Sequence, residues 1–134
     1  MEIFKNEYMK LVFNQDDSIL EQIWFSNSLN MKTNDYKNLQ EKTVVAFNEN
    51  RAAKMFVDIK DFQFPIDPKL QVWTNELVIK KLIESKLQKI AYVVSLDIFS
   101  QISVEQAIDE EREHEFPARF FDSENSAKDW LLTN

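Results

Sequence analysis

The chain has no glycine and no cysteine, one histidine and three prolines in 134 residues. At the average usage of about 7%, a chain of this length would carry about 9 glycines, so every loop that needs a missing side chain to bring backbone against phosphate is absent. Walker loops, dinucleotide-binding fingerprints and nucleophile elbows are excluded on this ground, because each is built on glycine. The lack of cysteine removes disulfides, thiolate metal sites, iron–sulfur clusters and thiol nucleophiles, as expected of a reducing compartment. No apolar run approaches the ~20 residues that span a bilayer, and the opening stretch MEIFKNEYMKLVF carries charges where a signal peptide has its apolar segment. A cytoplasmic location without a membrane span is expected. Positive charge is also scarce: 16 Lys and Arg stand against 23 Asp and Glu, a net charge of -7. Such a surface repels phosphate backbones and anionic headgroups, so nucleic acid is not an expected partner.

What is present is an ordinary globular composition, with 44% hydrophobic and 29% charged residues. The hydrophobic content is far above that of disordered chains, and the length suits a single domain over residues 1–134 with one core. Met9 to Asn14 and Ile19 to Phe25 are apolar and β-prone, separated by the turn-forming run Gln15, Asp16, Asp17, Ser18. Thr33 is placed to cap a helix from about Asn34 to Asn48, whose Tyr36, Leu39, Thr43, Ala46 and Phe47 share one face. AAKMFVDI and KIAYVVS have the continuous apolar character of strands buried on both faces. Between them, Asp67 followed by Pro68 predicts a helix start and a helix running to about Ser85. Strand, helix, strand implies a right-handed parallel crossover, with KMFVDI and KIAYVV as neighbours. Ser103 and Gln106 form a capping box for a helix over about Val104 to Glu113. PARFFD is a short last strand, and Ser123 caps a closing helix with Ala127, Trp130 and Leu131 on one face. The expected class is α/β, a single-layer mixed five-stranded sheet with about four helices.

The order β-β-α-β-α-β-α-β-α resembles the SpoIIAA-like family, with its STAS-type and lipid-binding relatives. The resemblance is one of pattern, carried by the N-terminal hairpin, by MFVDIKDFQF, by KIAYVVS, and by FFDSENSAKDWL with its Ala-x-x-Trp-Leu ending. For the anti-anti-sigma branch it implies a phosphorylatable serine in an Asp-Ser-Ser-Gly-like stretch opening the helix after the central strand. Here that stretch is FPIDPKL, with Pro68 after Asp67 and no hydroxyl or glycine from Lys60 to Val72. A serine switch is therefore not carried over.

Three functional readings stand side by side. In the 68–85 helix, Val72, Val78, Ile79, Leu82 and Ile83 make one broad apolar face, while Leu70, Trp73 and Leu77 fall on another. With Phe62 and Phe64 just upstream, the residues Phe62, Phe64, Leu70, Trp73 and Leu77 form the candidate binding surface for an apolar small molecule or a protein partner. The bland alternative is that the chain's own elements cover it. The second reading is a signalling antagonist that docks a regulatory protein through the same face, and the surplus apolar surface also suits a homodimer. The third is a small enzyme using the strand-end carboxylates Asp58 and Asp61 as acid and base. The acidic run Glu110, Glu111, Arg112, Glu113, His114, Glu115 places Glu110 and His114 one turn apart, but a lone histidine in a charge block reads as a solvated helix end. No metal, no cofactor and no catalytic triad is expected.

Overall fold

In a computed structural model that describes residues 1–100 and 117–133, the first third of the chain forms three antiparallel strands. These are β1 (Glu2–Lys5), β2 (Met9–Asn14) and β3 (Ile19–Trp24). Among the described residues the sheet has six strands where five are expected. The additional strand is β1, whose EIFK has two charges in four residues and an irregular register between Glu2 and Phe4, too little for a period-two pattern. Ser18 O then accepts from the Ala53 and Lys54 amides and ties the hairpin to β4 (Lys54–Asp58).

Helix α1 (Thr33–Glu49) begins one residue early: Thr33 is its first helical residue rather than its cap. The start is held instead by Asp35, whose Oδ2 accepts from the Lys32 amide at 2.9 Å. Its inner face is Tyr36, Leu39, Gln40, Thr43, Ala46 and Phe47. Helix α2 (68–84) starts where Asp67 and Pro68 predict, with Asp67 Oδ1 accepting from the Leu70 amide at 2.8 Å. Strand β5 (Lys89–Val93) follows, then helical residues 96–100 (α3), β6 (Ala118–Phe121) and α4 (Glu124–Leu132), the last capped by Ser123 as expected. The Ser103–Gln106 box, its helix and the Glu110–His114 pair lie outside the described residues.

The strands lie in chain order from β1 to β6, and β3 to β6 are parallel, so KMFVD and KIAYV are parallel neighbours. Sequential parallel strands joined by crossovers of one hand put their helices on one face. That face carries the larger core, where Tyr36, Leu39 and Phe47 of α1 and Leu70, Val78 and Leu82 of α2 meet Leu11, Leu20, Met55, Val57 and Ile90. On the other face α4 covers the middle of the sheet, with Ala127 and Leu131 against Ile19, Phe56, Ala91 and Val93.

Helix α2 is not regular. Its ends, Pro68–Trp73 and Lys80–Glu84, are α-helical, but Thr74–Ile79 is a π-helical turn in which the Lys80 amide donates to Asn75 O, five residues back. One extra residue per turn rotates what precedes it by roughly 100°. This overturns the expected division of faces. Leu70 is 5% exposed and joins Val78 and Leu82 in the core, while Val72 is swung out to 53% exposure.

Candidate functional site

Strands β3 to β6 and the helices α1 and α2 do not close completely on each other. Between them is a cavity of about 390 Å³, within the size range of small-molecule sites. Its sheet wall comes from inward residues of alternating strands, Met55, Val57 and Ile59 around β4, Ile90 and Tyr92 of β5, and Ala118 and Phe120 of β6. The helix wall is Val78, Ile79 and Leu82 of α2, and the exposed amides of Gln71 and Asn75 also line it. Aromatic rings of Trp24, Tyr36 and Phe62 complete the lining, and no Asp, Glu, Lys, Arg or His belongs to it among the described residues.

The remaining polar residues at the cavity, buried Gln22, Gln40 and Thr43 with half-buried Thr74, are joined in one directed chain. Trp24 Nε1, which can only donate, bonds Gln22 Oε1 at 2.9 Å. The amide of Gln22 is thereby turned so that its Nε2 donates to Gln40 Oε1 and Thr43 Oγ1, both at 2.9 Å. Gln40 Nε2 in turn donates to Tyr36 Oη at 2.9 Å. Thr74 gives its one proton to Leu70 O at 2.9 Å, so the 2.9 Å contact between Tyr36 Oη and Thr74 Oγ1 is donated by the tyrosine. This last link depends on the π-turn region, where Thr74 faces α1. A buried network with every link made fixes its members rigidly.

Tyr92 is different. Among the described residues its hydroxyl makes no hydrogen bond, while its ring stacks on Phe120 at 5.0 Å. Burial, helped by the nearby Tyr36, pushes this hydroxyl up to about 12, so it stays protonated at neutral pH.

The five residues of the expected surface are divided. The loop after β4 is pinned by the Gln63 amide donating to the buried Ser28 Oγ at 2.9 Å, which brings Phe62 and Phe64 back over α1. Tyr36 is the hub of the resulting cluster. Its ring lies 5.7 Å from Phe64 in a stacked pair, 6.2 Å from Phe62 and 6.3 Å from Trp73. Phe62, Phe64 and Trp73 therefore come together around Tyr36, with Lys37 Nζ 5.3 Å from the centre of the Trp73 ring. Only Phe62 of the five lines the cavity. Leu70 belongs to the core, and Leu77, 43% exposed, points away to solvent.

The carboxylates do not converge. Asp58 follows Phe56 in the pleat, so it faces α4, across the sheet from the cavity, and is bound by Lys60 Nζ at 2.7 Å. Asp61 is exposed. Among the described residues no group of three or more His, Asp or Glu is placed to hold a metal, and no helix is long and apolar enough to cross a membrane. Gln22, Gln40 and Tyr92 are the site residues that the sequence did not single out. The available signal was Gln40 standing on the apolar face of α1 between Tyr36 and Thr43, where a polar side chain needs a partner. Set against known protein families, characterised proteins and solved structures, the chain finds no match in any of the three.

Proposed function

We propose that this chain is a non-catalytic cytoplasmic module that holds a neutral, largely apolar small molecule in the cavity between its sheet and helices α1 and α2. The observation that carries the reading is the cavity itself: about 390 Å³, walled by aliphatic and aromatic side chains, with polar groups but no charged one among the described residues. A void of that size lined by apolar groups leaves dispersion contacts unmade, and an apolar occupant supplies them. The SpoIIAA-like and STAS-like relationship is part of the proposal and rests on the order of the elements. Phe62, and through Tyr36 also Phe64 and Trp73, form the aromatic end of the site.

The test is a titration with propylnaphthalene, a neutral hydrocarbon probe, followed by the fluorescence of Trp24 and by thermal melting. Saturating probe is expected to raise the melting temperature, since a ligand at 100 times its Kd adds about 2.7 kcal/mol. Ala118→Leu fills part of the cavity from the β6 side and is expected to abolish the response while the far-UV spectrum is kept. Unchanged binding by that variant would remove the cavity from the reading.

A second reading has its own observation. Val72 and Leu77 are exposed on α2 next to half-buried Trp73, which suits docking of a protein or of a second copy of the chain. Sedimentation at micromolar concentration distinguishes them, and a lone 15.9 kDa species counts against the homodimer.

A further inference from the structure

The proposed cavity offers its occupant a definite set of hydrogen-bonding groups, found by subtracting the bonds already made. Gln22 Nε2 has both protons engaged, Trp24 Nε1 and Thr74 Oγ1 have their single protons engaged, and Tyr36 donates to Thr74. Gln40 Nε2 has one proton on Tyr36 Oη and a second one free of any protein partner among the described residues. Away from the rim, the hydroxyl of Tyr92 is the other donor left over among the described residues; the exposed amides of Gln71 and Asn75 keep further protons that solvent satisfies. Acceptors are not short of partners in the same way, because each of the network oxygens already receives at least one bond and an unfilled second lone pair is tolerated better than an orphan donor.

Resting on the binding reading above, we infer that the ligand is a neutral carbonyl compound without N–H or O–H groups, a ketone, ester or tertiary amide on an apolar frame, whose oxygen accepts from the Tyr92 hydroxyl. Free carboxylates are excluded by the lining. A carboxylate accepts equally well, but among the described residues no Lys, Arg or His lines the cavity to compensate it, and an unpaired buried charge is expelled. Alcohols and amines bring donors of their own to a site that already has donors in surplus. The high proton affinity of Tyr92 keeps it a donor at neutral pH. The rings of Tyr92 and Phe120, stacked at 5.0 Å on the sheet wall, give a flat frame a surface to lie on.

The experiment compares two probes of one frame, propylnaphthalene and the fluorescent ketone propionyl-dimethylaminonaphthalene, whose emission moves to the red when its carbonyl accepts a hydrogen bond. The wild-type protein is expected to bind the ketone about three- to tenfold more tightly than the hydrocarbon, the worth of one neutral hydrogen bond. Tyr92→Phe keeps the ring and the stack and removes the donor. It is expected to cancel that preference and to shift the bound ketone's emission to the blue, with the hydrocarbon's affinity for the same variant as the reference. Equal ketone affinity and emission in Tyr92→Phe overturns the carbonyl inference while the cavity reading survives on the hydrocarbon. Binding of neither probe by the wild-type protein overturns both, and tighter binding of naphthalene acetate than of the ketone overturns the neutrality argument.

Discussion

Arg51 and Lys86 occupy the left-handed turns that glycine ordinarily supplies. Each follows a helix, with φ of 53° and 72°, and each is flanked by the paired bonds of a Schellman ending. After α1 the Ala52 amide donates to Phe47 O and the Arg51 amide to Asn48 O; after α2 the Leu87 amide donates to Leu82 O and the Lys86 amide to Ile83 O. The buried pairs Phe47 with Ala52 and Leu82 with Leu87 accompany them. A chain without glycine thus bears the left-handed strain, about 1–2 kcal/mol per residue, at both positions. Lys86→Gly is expected to stabilise the protein by about 0.5–1 kcal/mol, because relief of that strain exceeds the entropy glycine adds to the unfolded chain. Urea melts of the variant and wild type read this directly, and a lower midpoint in the variant would show the strain to be absent. Tyr92 gives a second prediction at this scale. Its folded pKa is raised from 10.0 to about 12, so the neutral hydroxyl is favoured by folding. The corresponding stability is complete below pH 10 and is lost as pH rises towards 12, a total on the order of 2–3 kcal/mol. Because the lysines titrate in the same window, the measurement is the difference between wild type and Tyr92→Phe, which is expected to shift against the wild type by that amount. A difference constant across the window would mean the hydroxyl is solvated.

The elements most legible in the sequence were those whose local signals agree. Asp67 and Pro68 specify the start of α2 by capping chemistry, and Ser123 that of α4. The apolar runs of β4 and β5 reveal strands covered on both faces. Strand β1 was not legible, since it is short, charged and held by pairing with β2 rather than by its own pattern. Nor was the π-turn, because TNELVI carries no mark of a wide turn, and a regular helical wheel then assigns Leu70 and Val72 to each other's environments. The turn is maintained by what it places, Leu70 in the core and Thr74 against Tyr36. Deleting Asn75 removes the extra residue, and the 68–84 helix then has to choose between keeping its first half or its second half in phase. The expected result is loss of either Leu70 or Leu82 from the core, a cost of about 2–3 kcal/mol by the burial of one leucine. Loss of probe binding in the cavity accompanies it. A variant as stable as the wild type would mean that the turn is a neutral irregularity. The polar half of the site was illegible for a related reason. Glutamine is usually exposed, and Gln22 is buried because β3 is covered on both faces, a property of the assembled sheet rather than of ILEQIW.

At the scale of the whole molecule, the sheet is supported unequally. Among the described residues, α1 and α2 cover one face, and nine-residue α4 packs on the other. A helix so short is marginal by itself and must be held by its contacts. Its C-terminal end shows how. Lys54 and Lys89 are direct partners across β4 and β5, a like-charged pair that a parallel sheet would otherwise disfavour. Both amino groups turn to the last carbonyls of α4, Lys54 Nζ to Leu131 O and Lys89 Nζ to Trp130 O at 3.0 Å and Thr133 O at 2.7 Å. The negative end of the helix offsets their repulsion, and burial together with Lys54 lowers the pKa of Lys89. Lys89 Nζ also lies 4.8 Å from the centre of the Trp130 ring. Since Leu131 is fully buried against β4 and β5, the strands that also form the cavity's floor, α4 is coupled to the same cooperative unit as the cavity. Leu131→Ala is therefore expected to cost about 2–5 kcal/mol of global stability, visible as a lower urea midpoint monitored at Trp24 on the opposite face. Amide exchange in β4 and β5 should accelerate by the corresponding factor. If instead exchange rises only within α4 while the midpoint at Trp24 is unchanged, α4 unfolds as a separate unit and the helical face alone sustains the sheet.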